Sequence, residues 1–120
     1  MLPAMAFVVL VASDIGFRDA WRIELESHRH AVILASTANA AVERLREGGV
    51  DLLLVDHEVM GGIRPLIAGL ERLPDAPPFV LISGDTDAPA LSAHLGAAAF
   101  VPKVNAVEEL AAVVRRVASG

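Results

Sequence analysis

Cysteine is absent from the 120 residues, which removes disulfide scaffolds, thiolate zinc sites and cysteine nucleophiles and leaves any chemistry to oxygen and nitrogen groups. The absence is compatible with a reducing compartment, and a cytoplasmic location is the expectation. Lysine occurs once, as Lys103. Ten basic against fifteen acidic side chains give a formal net charge of -5, the wrong sign for a binder of phosphate backbones, so no direct nucleic-acid partner is expected. The apolar stretch Met1 to Ala12 carries no basic leader and is stopped by Asp14. It falls short of the roughly 20 residues a membrane-spanning helix needs, so it reads as a buried strand and no membrane partner is expected. No Gly-x-Ser-x-Gly elbow, Gly-x-Gly-x-x-Gly turn or phosphate loop ending in Gly-Lys-Ser/Thr occurs, which removes the usual supports of a hydrolase triad or a nucleotide site. There is no low-complexity segment, solenoid repeat or linker.

What the chain does have is apolar residues in alternating short patterns. Hydrophobic residues make up 54% and mean hydropathy is +0.53, ample for one compact core, and residues 1–120 read as a single domain. Phe7 to Val11 is short and β-branched, as a strand covered on both faces should be. Phe17, Trp21 and Leu25 then recur every fourth residue, one helical stripe. The alternation repeats. Ala31 to Ala35 reads as a strand, and Thr37 caps a helix carrying Ala38, Ala41, Val42 and Leu45 that Gly48-Gly49 ends. Asp51 to Asp56 is a third strand, and Ile63, Leu66, Ile67, Leu70 and Leu73 keep helical spacing until Pro74. Phe79 to Ser83 is a fourth strand; Ala88 to Leu95 is a weaker, alanine-rich helix interrupted early by Pro89. Ala98 to Val101 and a helix carrying Val107, Leu110, Ala111, Val114 and Val117 close the series. Five strands each followed by a helix predict a mostly parallel α/β sheet with helices on both faces.

Open parallel sheets bind ligands beyond the carboxyl ends of their strands. Those ends carry Ala12-Ser13-Asp14, Asp56-His57-Glu58, Ser83-Gly84-Asp85 and Pro102-Lys103. An acid closes strand three, a serine closes strand four, an aromatic lies in strand five and a lysine follows three residues later: Asp56, Ser83, Phe100 and Lys103. With Met60-Gly61 after strand three and Gly96-Ala97 before Phe100, the chain resembles the response-regulator receiver (CheY-like) domain over essentially its whole length.

That resemblance implies a flavodoxin-like, three-layer (βα)5 fold with sheet order 2-1-3-4-5. It implies a module of two-component phosphorelay signalling rather than an enzyme. Asp56 would take a phosphoryl group from a histidine kinase or phosphotransfer protein, with Ser83 and Lys103 binding that group. Mg2+ would assist, held by Asp56, by Glu58 through its carbonyl, and by an acid before the first helix. Ser83 and Phe100 would then switch the face formed by helix four, strand five and helix five, which would pair with an output domain or a second receiver copy. The chemistry is coherent, because a carboxylate attacking phosphorus needs a metal and an ammonium to neutralise the transferring oxygens.

The departures from the family are equally specific. Its usual pair of acids after strand one is Ala12-Ser13 here; Asp14, one position later, is the remaining candidate ligand, so Mg2+ binding is expected to be weak or absent. Val104 follows the lysine where the family has proline after a cis bond. A non-proline cis bond costs about 2.5–4 kcal/mol, so Lys103–Val104 is expected to be trans. Phe100 lacks a hydroxyl to draw it outward and reads either as a switch or as packing in place. His57 should point away from Asp56, and His28, His30 and His94 read as surface residues. Two further readings stay open: a phosphorylation-independent pseudo-receiver used for docking or dimerisation, and a small α/β enzyme with Asp56 as nucleophile.

Overall fold

The computed structural model describes residues 6–119, Ser119 by its backbone alone. Met1 to Met5, the front of the apolar stretch, and Gly120, the end of the expected domain, lie outside the described residues. The chain runs β1 (Phe7–Val11), α1 (Ile15–Ser27), β2 (Ala31–Ala35), α2 (Ala38–Arg46), β3 (Leu52–Asp56), α3 (Ile63–Glu71), β4 (Phe79–Ser83), α4 (Ala88–Leu95), β5 (Ala99–Pro102), a 3-10 turn (Lys103–Asn105) and α5 (Ala106–Ser119). All strand pairs are parallel and the order is β2-β1-β3-β4-β5, as the resemblance implied.

The strands form because their residues are apolar on both faces, and the period of two divides them between two cores. Val8, Leu10, Leu52, Leu54, Val80 and Ile82 pack with Trp21 and Leu25 of α1 and with Leu110 and Val114 of α5. Val9, Val11, Leu53, Val55 and Phe79 pack with Ala41 and Leu45 of α2 and Leu66 and Leu70 of α3. Asp51, read as the start of the third strand, lies just outside it. Its carboxylate accepts from the Phe7 N–H at 2.8 Å and its own N–H donates to the Phe7 carbonyl at 2.8 Å.

Helix ends follow local chemistry. Thr37 accepts from the Ala40 N–H at 3.1 Å and caps α2, while Gly48 and Gly49 beyond its end sit at φ 78° and 79°. Pro89 does not interrupt α4. It occupies the helix's first turn, where the missing N–H has no partner to lose. Two readings of buried faces are corrected. Phe17 belongs to the α1 stripe by spacing, yet it is 42% exposed while Trp21 and Leu25 are buried. His30, read as a surface residue, is 3% exposed, because its N–H bonds the Leu25 carbonyl at 3.1 Å and tucks the residue under the end of α1.

Candidate functional site

Asp56 ends β3 and is 2% exposed. Its Oδ1 accepts from the Glu58 N–H at 3.1 Å, so the chain turns back over the carboxylate as it leaves the strand. β5 delivers the second group. Pro102 is in register with Ser83 of β4, and Lys103 follows in the 3-10 turn. Its Nζ donates to Asp56 Oδ1 at 3.2 Å, stands 3.7 Å from Glu58 Oε2 and lies 4.4 Å from the centroid of the Phe17 ring. The Lys103 and Asp56 side chains are 13% and 3% exposed, whereas Glu58 is 81% exposed. The inner pair therefore carries the electrostatics and the outer one is screened. All described peptides are trans, Lys103–Val104 among them.

Ser83 shares this rim but does not bond Asp56. Its buried hydroxyl oxygen accepts from the Asp85 N–H at 3.0 Å and lies 2.8 Å from His57 Nδ1. His57 continues the sheet pairing beyond β3, its N–H on the Ile82 carbonyl at 2.9 Å. That pairing carries the residue on beside β4, so the histidine expected to point away from Asp56 is the one that Ser83 meets. Phe100 is half-buried within β5, in register with Leu81. His28 and His94 are exposed, as expected.

The expected metal ligands are not assembled. Asp14 is the N-cap of α1, its Oδ1 accepting from the Phe17 N–H at 3.1 Å. Ala12 is fully buried in the core beneath α1 and α5. The Ser13 hydroxyl donates to the Ser36 carbonyl at 2.6 Å and accepts from the Met60 N–H at 2.7 Å. Among the described residues no three of His, Asp and Glu stand together as a metal-binding group. Mg2+ wants near-octahedral oxygen ligands, and here Asp56 and Glu58 share the one ammonium of Lys103, with no third carboxylate grouped with them among the described residues. The residues present do not fit the ion.

Beside the pair lies an apolar cleft of about 630 Å³ between α1 and the turn after β5, lined by Asp14, Gly16, Phe17, Ala20, Trp21, Lys103, Val104 and Val107. Of its lining, Phe17, Val104 and Val107 are exposed, as is Ile15 next in sequence to Asp14 and Gly16. A smaller, polar hollow of about 390 Å³ is lined by His57, Glu58, Ser83, Gly84 and Asp85.

With the sheet order, the ion pair and the rim in view, solved structures decide the fold. The receiver domain of Francisella response regulator 1452 superposes with a TM-score of 0.85 at 14% identity, covering 95% of this chain and 97% of that one. The BeF3-activated N-terminal receiver domain of RstA from Klebsiella pneumoniae gives 0.81 at 23% identity, covering 95% and 99%. This is the receiver-domain fold. NtrX from Brucella abortus also matches, with a TM-score of 0.81 at 22% identity, over 95% of this chain and 27% of that one. No protein-family model and no curated protein matches the sequence. Among the described residues of this receiver-fold chain, no helix is long and apolar enough to cross a membrane.

Proposed function

We propose that this chain is a receiver-type signalling module that acts by docking to other proteins, with Asp56 serving in a buried ion pair and not as a phosphoacceptor. The observation that carries the reading is the engagement of the residues before α1: Ala12 in the core, Ser13 bonded to two neighbouring loops and Asp14 capping its own helix. A phosphoryl group on Asp56 would add roughly -1.5 to -2 charge, by analogy with hydroxyl phosphorylation. Lys103 is the only lysine in the chain, and its one positive charge is already shared by two carboxylates. The exposed apolar residues Ile15, Phe17, Val104 and Val107 supply a contact surface at the same rim. The family resemblance implies a histidine kinase or phosphotransfer protein as a partner, and an output domain or second copy of the module for the face of α4, β5 and α5. NtrX, with most of its chain beyond the matched part, supports the output-domain partner.

The competing reading keeps Asp56 as phosphoacceptor. It is favoured by the 3.2 Å Lys103–Asp56 contact and by Ser83 closing the adjacent strand. Incubation with a small phosphodonor and Mg2+, followed by intact mass with an Asp56→Asn control, separates the two. Docking predicts no added phosphoryl group at any Mg2+ level. An adduct that the control lacks restores the phosphoacceptor, and continuing donor turnover points to the small-enzyme reading.

A further inference from the structure

The engagement of Ser13 can be carried further than the docking reading that rests on it. β1 lies between β2 and β3 in the sheet, so a side chain just past its end reaches the loops of both neighbours. Ser13 does so with both capacities of a hydroxyl: its proton goes to the Ser36 carbonyl at 2.6 Å and its oxygen accepts from the Met60 N–H at 2.7 Å. The two outer loops also join directly. Thr37 and Met60 form an isolated parallel bridge, and the Ala38 N–H donates to the Met60 carbonyl at 3.0 Å. Arg18 Nη1 on the Ser36 hydroxyl at 2.6 Å fastens α1 to the same cluster.

We infer that Ser13 is a clasp that fixes the loops after β1, β2 and β3 in one arrangement, and that the resident cation of the pocket is the Lys103 ammonium in place of a divalent ion. The chemistry of the position explains why these two properties go together. An ionised carboxylate at residue 13 has no proton to give, so it would face the Ser36 carbonyl acceptor to acceptor, an arrangement that a cation between them relieves. A serine closes the same gap with its own hydrogen. The loop it holds through Met60 is the one that carries Glu58, whose N–H caps Asp56, so the clasp sets the geometry around the ion pair.

The test uses the full chain, MgCl2 as the probe against NaCl of matched ionic strength, and two readouts: melting temperature and the emission of Trp21, the only tryptophan. Trp21 lines the cleft beside Lys103. The wild type is expected to show no saturable Mg2+ response. Ser13→Ala should melt about 3–8 °C lower, two loop hydrogen bonds having been lost, and remain indifferent to Mg2+. Ser13→Asp should acquire a Mg2+-dependent rise in melting temperature. A saturable Mg2+ response of the wild type, a Ser13→Ala variant melting with the wild type, or a Ser13→Asp variant blind to Mg2+ overturns the clasp. The docking reading is judged separately by intact mass. A wild type that binds Mg2+ yet takes no phosphoryl group sinks the clasp alone, and one that ignores Mg2+ yet is phosphorylated on Asp56 sinks the docking reading alone.

Discussion

His30 is the residue whose surroundings conflict most with its chemistry. It is buried, and neither ring nitrogen has a hydrogen-bond partner. Burial pushes its pKa below the usual 6.5; the nearby Ala111 backbone offsets this in part, without completing a hydrogen bond, while the positive charges of Arg115 and His28 add to the lowering. The folded state therefore prefers the neutral ring. As pH falls below 6.5 the unfolded chain takes up the proton first, so His30's contribution to stability is complete above 6.5 and is lost on the way down to the folded value. The wild type should lose more melting temperature between about pH 7.5 and 5.5 than His30→Leu, whose site has no proton to bind. Parallel melting curves for the two proteins would refute this. The sequence hid the residue because a histidine just after a helix is ordinarily exposed. What decides its burial is the Leu25 carbonyl bonding its N–H, a feature of how α1 ends and not of residue type. Ser13 was hidden for a similar reason: both its partners are backbone groups of other loops, so no spacing pattern marks it.

At the level of elements, the contact between α2 and α3 leaves no room for added atoms at Gly69. A Cβ added at Gly69 would stand 2.6 Å from Val42 Cγ2, and Val42 is β-branched and stiff at χ1, so it cannot swing aside cheaply. Gly69→Ala gains about 1 kcal/mol of helix propensity and loses about 1–3 kcal/mol to overpacking. A net destabilisation of about 0–2 kcal/mol in urea unfolding is expected, with Val42→Ala in the same chain removing the clash term. A stabilised single variant would show that the helices separate freely. Most elements were legible beforehand, because apolar period, Thr37 and the Gly48-Gly49 pair are local signals that act where they stand. Two local signals were ambiguous because each has two uses. Pro89 ends a helix or opens one depending on which turn it occupies, and Asp14 is a metal ligand or a cap depending on where the next helix starts. Of the candidate site, the Asp56–Lys103 contact was legible because parallel register delivers strand ends to one rim. The His57–Ser83 contact was not, because it depends on one further residue of sheet pairing past β3.

At the scale of the whole molecule, the described residues form two cores and one sheet, and each strand from β1 to β4 contributes to both cores. Leu52 and Leu54 face the α1/α5 side while Leu53, between them, faces α2 and α3. Neither core can melt while the other keeps its strands, so both should be lost in one transition. Trp21 makes this measurable, since it reports only from the α1/α5 side. Leu53→Ala removes a fully buried side chain on the opposite face and should cost about 2–5 kcal/mol. If the sheet couples the layers, the urea midpoint read by Trp21 fluorescence falls by as much as that read by far-UV circular dichroism, and the two curves stay superimposed. A Trp21 transition left at its wild-type midpoint while the dichroism shifts would mean that the α2/α3 layer unfolds on its own. The clasp at Ser13 would then be holding together parts that the core does not.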